Sequence, residues 1–403
     1  MIHLRSRLAS VAADLPPSYW YLWLGTVINR LGGFVVPFLT LYLTSQRGIS
    51  VSQAGLMVSL FGAGSFASQL VGGELADRLG RRPVLLMSLL VTPALTLALG
   101  LGRGLAFIAA CTLILGLFAD LYRPAVNAAV ADLVPASDRT RAFGYLYWAI
   151  NLGAALAPIV AGFMAHINYF LLFAGDALTT FVYGLIVLWR VRESQPTEAV
   201  HAARLPARNR LRNLGREPIL LVFSSLGLLF GIIYMQGIVT LPLDMGRHGL
   251  GPAEYGLAIA SNAILIVMIT IPASRMIARW PRFGAVALAS VLLGFGFGLN
   301  VFAATLPFYV LGVMVWSLGE ILAAAVAPTI IADLSPVELR GLYQGIFGSA
   351  WGLSLFIGPL LGSWVFQRFS PTSLWLGCAG LGILVAVGYL LLARPAHRRL
   401  VAA

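Results

Sequence analysis

Long uninterrupted apolar runs decide what this chain can fold into. Val84 to Leu101, Leu105 to Ala119 and Val291 to Val315 contain no charged residue, and runs of this kind match the roughly 20 apolar residues that a helix needs to cross a hydrocarbon layer. Only 10% of the 403 residues are charged, against roughly a quarter in a soluble globular chain. Mean hydropathy is +0.88. The pattern predicts an integral membrane protein.

Glycine, proline and charge punctuation divides the sequence into twelve expected spans: 19–44, 53–76, 83–101, 104–130, 141–165, 168–190, 217–243, 253–277, 283–303, 305–331, 341–366 and 371–393. The net charge of +12 comes from arginine alone, scattered over the connectors rather than gathered on a polar domain. That distribution argues against nucleic acid as a partner and for a positive-inside bias. If the amino terminus is cytoplasmic, twenty-one arginines fall on that side and only Arg47, Arg103, Arg247 and Arg368 on the other, so both termini are expected inside. The first residues are basic and polar, break at Pro16 and Pro17, and lack the apolar core of a signal peptide. Cys111 and Cys378 both sit in apolar runs and imply neither a disulfide framework nor a metal site.

The sequence also repeats itself. Adding 201 carries Gly48 to Gly249, Gly55 to Gly256, Arg78 to Arg279, Arg81 to Arg282 and Pro158 to Pro359, and takes ADLVPASDR at 131–139 onto ADLSPVELR at 332–340. One ungapped offset implies duplication, hence two pseudo-symmetric six-helix bundles in parallel repeat, an arrangement associated with alternating-access carriers. The expected domains are a cytoplasmic segment 1–18, a first bundle 19–190, an arginine-rich cytoplasmic linker 191–216, a second bundle 217–393 and a tail 394–403.

Between spans two and three, GGELADRLGRRPVLL crowds two acids and three arginines into one connector. Gly73, Asp77, Arg78, Gly80, Arg81 and Arg82 resemble the loop signature of the major facilitator superfamily, and the likeness extends over nearly the whole chain. The second copy keeps Arg279 and Arg282 but has Ala278 where Asp77 stands. In span five Gly153, Pro158 and Gly162 resemble the pattern associated with antiporters of that family, and Gly358 and Pro359 repeat it in span eleven. These small residues are expected to bring span five against eight and span eleven against two. Asp77 is expected to rest at the amino terminus of span eleven near Gly341, where a helix dipole favours an anion. Asp132 is expected to pair with Arg78 or Arg81, and Asp333 with Arg279.

Charges at mid-membrane depth are costly and mark sites. At about 1.5 Å per helical residue, Arg30 in span one, Asp120 in span four and Glu320 in span ten come to roughly 17, 15 and 16 Å from their inner ends. Asp120 plus 201 falls one residue from Glu320. In the resembled family spans one, four, seven and ten line a central cavity, so the resemblance implies that these three residues, with Arg123 one turn from Asp120, face it. Proton binding to Glu320 or Asp120, tuned by desolvation and a neighbouring guanidinium, would couple protons to conformation; structural ion pairing is the alternative. Asn29, Tyr234, Gln236, Trp148, Asn151, Asn262 and Trp316 are the expected cavity residues for a partly apolar ligand. Asp176, in span six, reads as a hydrogen-bonded structural carboxyl.

The resemblance is strongest to the drug and proton antiporters of the family. It implies efflux of a small amphiphilic molecule by a monomer in the bacterial inner membrane, driven by the proton gradient without cofactor or metal; the alternative is proton-coupled uptake of a small solute such as a peptide or sugar. Tyr147 to Ala154 resembles the fifth span of peptide carriers, but Asn29 and Arg30 stand where their first-span acid and arginine would be. No nucleophile and base, metal cluster or phosphate loop suggests an enzyme.

Overall fold

The computed structural model describes residues 15–196 and 217–402, so the first fourteen residues and most of the expected linker lie outside the described residues. Among the described residues there is helix and no strand. Among the described residues, eleven helical stretches are long and apolar enough to cross a membrane, two of them made of two consecutive α-helices. The first expected span is covered instead by two shorter helices, α1 (Pro17–Leu31) and α2 (Val35–Ser45).

That break has an identifiable cause. A new helix start leaves backbone N–H groups without intrahelical partners, and here the Asp176 carboxylate accepts from Phe34 N at 3.2 Å and Val35 N at 3.1 Å. The structural role expected of Asp176 is therefore an interhelical cap. Span two, α3 (Val51–Leu79), opens with a capping box between Ser50 and Gln53. Span three is α4 (Arg81–Leu101); span four is again in two pieces, α5 (Leu105–Ala119) and α6 (Tyr122–Leu133), with Asp120 at the joint. Spans five and six are α7 (Arg139–Ile167) and α8 (Phe170–Arg190).

In the second half, span seven is α9 (Pro218–Tyr234) followed by α10 (Gln236–Arg247), and spans eight and nine are α11 (Pro252–Ile277) and α12 (Arg282–Gly298). Spans ten to twelve are α13 (Leu306–Leu334), α14 (Arg340–Arg368) and α15 (Pro371–Ala402). The sequence repeat is visible in this geometry. The joint of span one ends at Phe34, which maps onto the span-seven joint at Met235, and the equivalent turn glycines Gly48 and Gly249 share positive φ values of 64° and 75°.

The helices sort into two compact units. Within the described residues, unit 1 takes 15–142, 149–196 and 337–345; unit 2 takes 143–148, 217–336 and 346–402. Each unit thus includes a short segment from the opposite half of the sequence. The core of unit 1 gathers Phe34, Leu39, Tyr42, Leu99, Leu115 and Phe173, with Tyr42 edge-on to Phe173 at 4.7 Å. In unit 2, Phe297 stacks on Trp316 at 5.5 Å and on Trp375 at 6.1 Å. Large apolar side chains also face outward, as a hydrocarbon solvent allows: Phe163, Phe356 and Leu391 are each 70% exposed or more.

Helix packing corrects the expectation for the span-five motif. Gly153 gives room to Arg30 of span one, and a Cβ at Gly162 would meet nothing within 4 Å. The side chain of Pro158 lies outside the described residues. In span eleven Gly358 faces Met235 of span seven, and Pro359 lies inside the helix. The approaches expected of these motifs occur elsewhere: Gly144 gives α7 room against Ser274 of α11, and Gly345 gives α14 room against Gln69 of α3. The motif residues sit farther along their helices than those contact points.

Candidate functional site

Three polar constellations stand out, two in unit 1 and one in unit 2. The first is built on the charged connector. Asp77 is fully buried and accepts from the backbone N–H groups of Gly341 and Leu342, each at 2.8 Å, at the start of α14. This is the position expected from the helix dipole. Gly73 is required by the same approach, because a Cβ there would strike the Gly341 carbonyl.

Arg81, 1% exposed, spends every arm of its guanidinium: Nε donates to Asp132 at 3.0 Å, Nη1 to Asp77 at 2.9 Å and to the Ala76 carbonyl at 2.7 Å, Nη2 to the Val337 carbonyl at 3.2 Å. Arg340 donates to the other oxygen of Asp132 at 2.5 Å. Asp77, Asp132 and Arg81 are thereby compensated almost entirely out of solvent, with Arg340 at the partly exposed edge and Arg139 beside Asp132. Arg81 takes the role offered to Arg78, which turns outward to Glu74 at 2.6 Å. Of the two arginines expected for Asp132 the structure takes Arg81, because Arg78 lies in the last turn of α3 before the reversal at Gly80 and Arg81 opens α4 after it. In the second copy Asp333 pairs with Arg282 instead of the expected Arg279; Arg282 opens α12 as Arg81 opens α4.

Glu193, which sequence reasoning passed over, closes the connector. Its carboxylate accepts from the N–H of Arg81 at 3.0 Å and of Arg82 at 3.1 Å, capping α4, while Gln195 donates to the Asp77 carbonyl at 2.7 Å. Arg82 itself donates to the Leu188 carbonyl at 2.7 Å. Gly80 has φ 103° and ψ 160°, a region that side chains avoid, and its missing Cβ makes room for Glu193. Gly80→Ala is therefore expected to destabilise the fold by about 1–3 kcal/mol, read as a lower unfolding temperature in detergent; an unchanged midpoint would show that the connector relaxes freely.

The second constellation surrounds Glu320 in unit 2. The side chain is 7% exposed. It accepts from the hydroxyl of Tyr147 and, at 2.8 Å, from the amide of Asn262, which also donates to Ser317 at 2.8 Å. Tyr234 faces the same carboxylate and stands edge-on to Trp316 at 5.6 Å. Trp316 lies one turn before Glu320 on α13, and its buried Nε1 has no hydrogen-bond partner among the described residues. No ion pair to Glu320 is present among the described residues. Tyr147 is the residue the sequence left out here; its neighbour Trp148 was named instead, and Trp148 is anchored by its indole N–H on the Val267 carbonyl at 2.8 Å.

The third constellation is a cavity of about 100 Å³ inside unit 1, lined by Asn29, Arg30, Thr92, Asp120, Tyr122 and Asp176 among others. Arg30 donates to the Tyr122 hydroxyl and lies over its ring. Asn29 donates to Thr180 at 2.9 Å. Asp120 is held by the Ser65 hydroxyl and by Arg123 at 2.8 Å. Arg123, expected to face the cavity beside Asp120, instead pairs with it and is not among the lining residues; Tyr122 and Ser65, neutral residues without a pattern to betray them, are found only in three dimensions. Gln236 departs from its expected role as a ligand contact: its amide donates to the Ile232 and Gly358 carbonyls and its oxygen accepts from Thr240, so the side chain ties span seven to span eleven. Asn151 occupies a half-buried position on α7 in unit 1.

Comparison with known proteins agrees with the helical architecture. The family model described as Major Facilitator Superfamily matches residues 22–246 and 235–403. Multidrug resistance protein MdtH of Escherichia coli is 22% identical over 397 residues, covering 94% of this chain and 96% of that protein. The Na(+), Li(+), K(+)/H(+) antiporter of Planococcus maritimus is 23% identical, covering 83% of this chain and 85% of its own length. Among solved structures, a bacterial homologue of the iron transporter ferroportin in an outward-facing state superposes with a TM-score of 0.78 at 17% identity, over 94% of this chain and all of that one.

Proposed function

The chain belongs to the Major Facilitator Superfamily, and from that premise we propose that it is a proton-coupled antiporter exporting a small amphiphilic or drug-like molecule by alternating access. It is a multi-pass membrane transporter of small molecules; export, proton coupling and substrate class are the proposal. In this reading it works as a monomer in the bacterial inner membrane with both termini cytoplasmic, and the proton gradient is its energy source without a cofactor.

The observation that carries the reading is Glu320. A buried carboxyl held by neutral hydrogen-bond donors, with no basic partner among the described residues, accommodates either protonation state without breaking an ion pair. The aromatic faces of Tyr234 and Trp316 and the unpaired indole N–H beside it suit an amphiphilic ligand. The name of the MdtH relative is in keeping with this. The connector network around Asp77 and Arg81 serves as the gating element: it holds together only while α14 begins where it does.

Reconstitution in liposomes tests the proposal. An imposed pH gradient should drive uphill flux of amphiphilic dyes selected by thermal shift, and a protonophore should abolish it. Gradient-independent flux would refute proton coupling. A second reading, exchange of alkali cations for protons, is favoured by the name of the Planococcus relative; sodium-driven proton release in the same vesicles would support it instead.

A further inference from the structure

The cavity inside unit 1 contains a carboxyl that the proposed cycle does not use. Asp176 lines it from α8, and the backbone N–H groups of Phe34 and Val35 that Asp176 accepts are those at which the helix of span one restarts. The cavity also holds polar atoms that lack protein partners. Thr92 is 7% exposed and lines the cavity, and its Oγ1 has no partner among the described residues; the same holds for the buried Nε of Arg30. The cavity of about 100 Å³ exceeds the roughly 10–15 Å³ that one water needs, and these orphaned groups are what water there would satisfy.

We propose that Asp176 is a proton-binding site of unit 1, reached through water in this cavity, and that proton binding loosens the joint between α1 and α2. The ionised carboxylate caps the start of α2 with full negative charge, where two N–H groups and the helix dipole favour an anion. When an excess proton from solvent is relayed through cavity water to the carboxyl, the water being left neutral, the carboxylate becomes a neutral acid, its new O–H turns toward the cavity, and the charge-assisted part of both caps is lost. The joint then has weaker support at the residues that follow Arg30. Arg30 of α1 acts on Asp176 as a charge and the Thr180 hydroxyl of α8 hydrogen-bonds to it; Asp120 at the end of α5 and Tyr122 of α6 are the other titratable groups lining the same cavity, to which α4 brings the hydroxyls of Ser88, Thr92 and Thr96 and α2 the apolar Val35 and Val36. This inference adds a second proton site to the reading of Glu320 and does not depend on it, because its readout is local.

Hydrogen exchange with mass spectrometry on the full-length protein in nanodiscs tests it without a substrate. After correction for intrinsic rates, peptides spanning residues 28–40 should lose at least tenfold protection between pH 8 and pH 5 in the wild type. Asp176→Asn retains an acceptor for both N–H groups but cannot take a proton, so its protection should be independent of pH. Asp176→Ala should exchange fast at every pH. Wild-type protection that does not change with pH overturns the proposal, and so does a pH response that survives in Asp176→Asn. A response to sodium at constant pH, absent for protons, would mean a metal cation occupies the cavity and would equally overturn it. Loss of the Glu320 coupling in flux assays would leave all of these outcomes unchanged.

Discussion

Asp77→Ala is expected to abolish transport and to lower the stability of the protein by about 3–5 kcal/mol, the usual cost of removing one member of a buried charge network. The reason is local and complete. Asp77 is the acceptor for two backbone N–H groups at the start of α14 and for Arg81, and all these groups are buried. Alanine leaves the N–H groups of Gly341 and Leu342 without their acceptor and leaves Asp132 as the one acid facing Arg81, Arg340 and Arg139. Asp77→Asn should be milder in stability, since an amide oxygen still accepts, but should keep the transport defect because the anion at the helix start is gone. Thermal unfolding in detergent and dye flux in vesicles separate the two effects. Wild-type flux in Asp77→Asn would reduce the connector to a topology signal.

The second large effect is expected at Glu320. Glu320→Gln conserves volume and still offers an oxygen to Tyr147, so the protein should fold and bind ligand. Flux driven by a pH gradient should fall to background, whereas exchange of labelled for unlabelled substrate, which moves no net proton, should persist. Asn262→Ala is the companion variant: it removes a donor to the carboxylate at 2.8 Å, should shift the pH at which flux is half-maximal toward alkaline values because the ionised form loses a hydrogen bond, and should leave the maximal rate within severalfold of wild type. Gradient-driven flux surviving in Glu320→Gln would move the coupling to another acid.

How much of this was legible in the sequence depended on the kind of signal. Apolar length and arginine placement are one-dimensional quantities, so twelve spans and two repeats could be counted. The seat of Asp77 against Gly341 was also readable, because a motif of fixed spacing and a helix dipole leave few alternatives. Partner choice was not. Arg78 and Arg81 lie one turn apart, and only the reversal at Gly80 decides which enters the buried side; the same ambiguity sent Asp333 to Arg279 instead of Arg282. Neutral partners were harder still. Tyr147, Tyr122 and Ser65 carry no charge to attract notice in an apolar chain, yet each holds a charged group at the candidate sites. The joints in spans one, four and seven were invisible for a related reason: Asp176, which restarts span one, is 142 residues from Phe34.

The division of the chain into units has a practical corollary for anyone cutting the gene in two. Severing it at the linker would give a first fragment without residues 337–345, and hence without the Gly341 and Leu342 amides and the Arg340 guanidinium that neutralise Asp77 and Asp132. The second fragment would lack Tyr147, which donates to Glu320. Neither fragment should mature alone. Produced together, each should supply what the other is missing, so that rescue by co-expression becomes an assay for the two buried acids, and Asp77→Ala should abolish it.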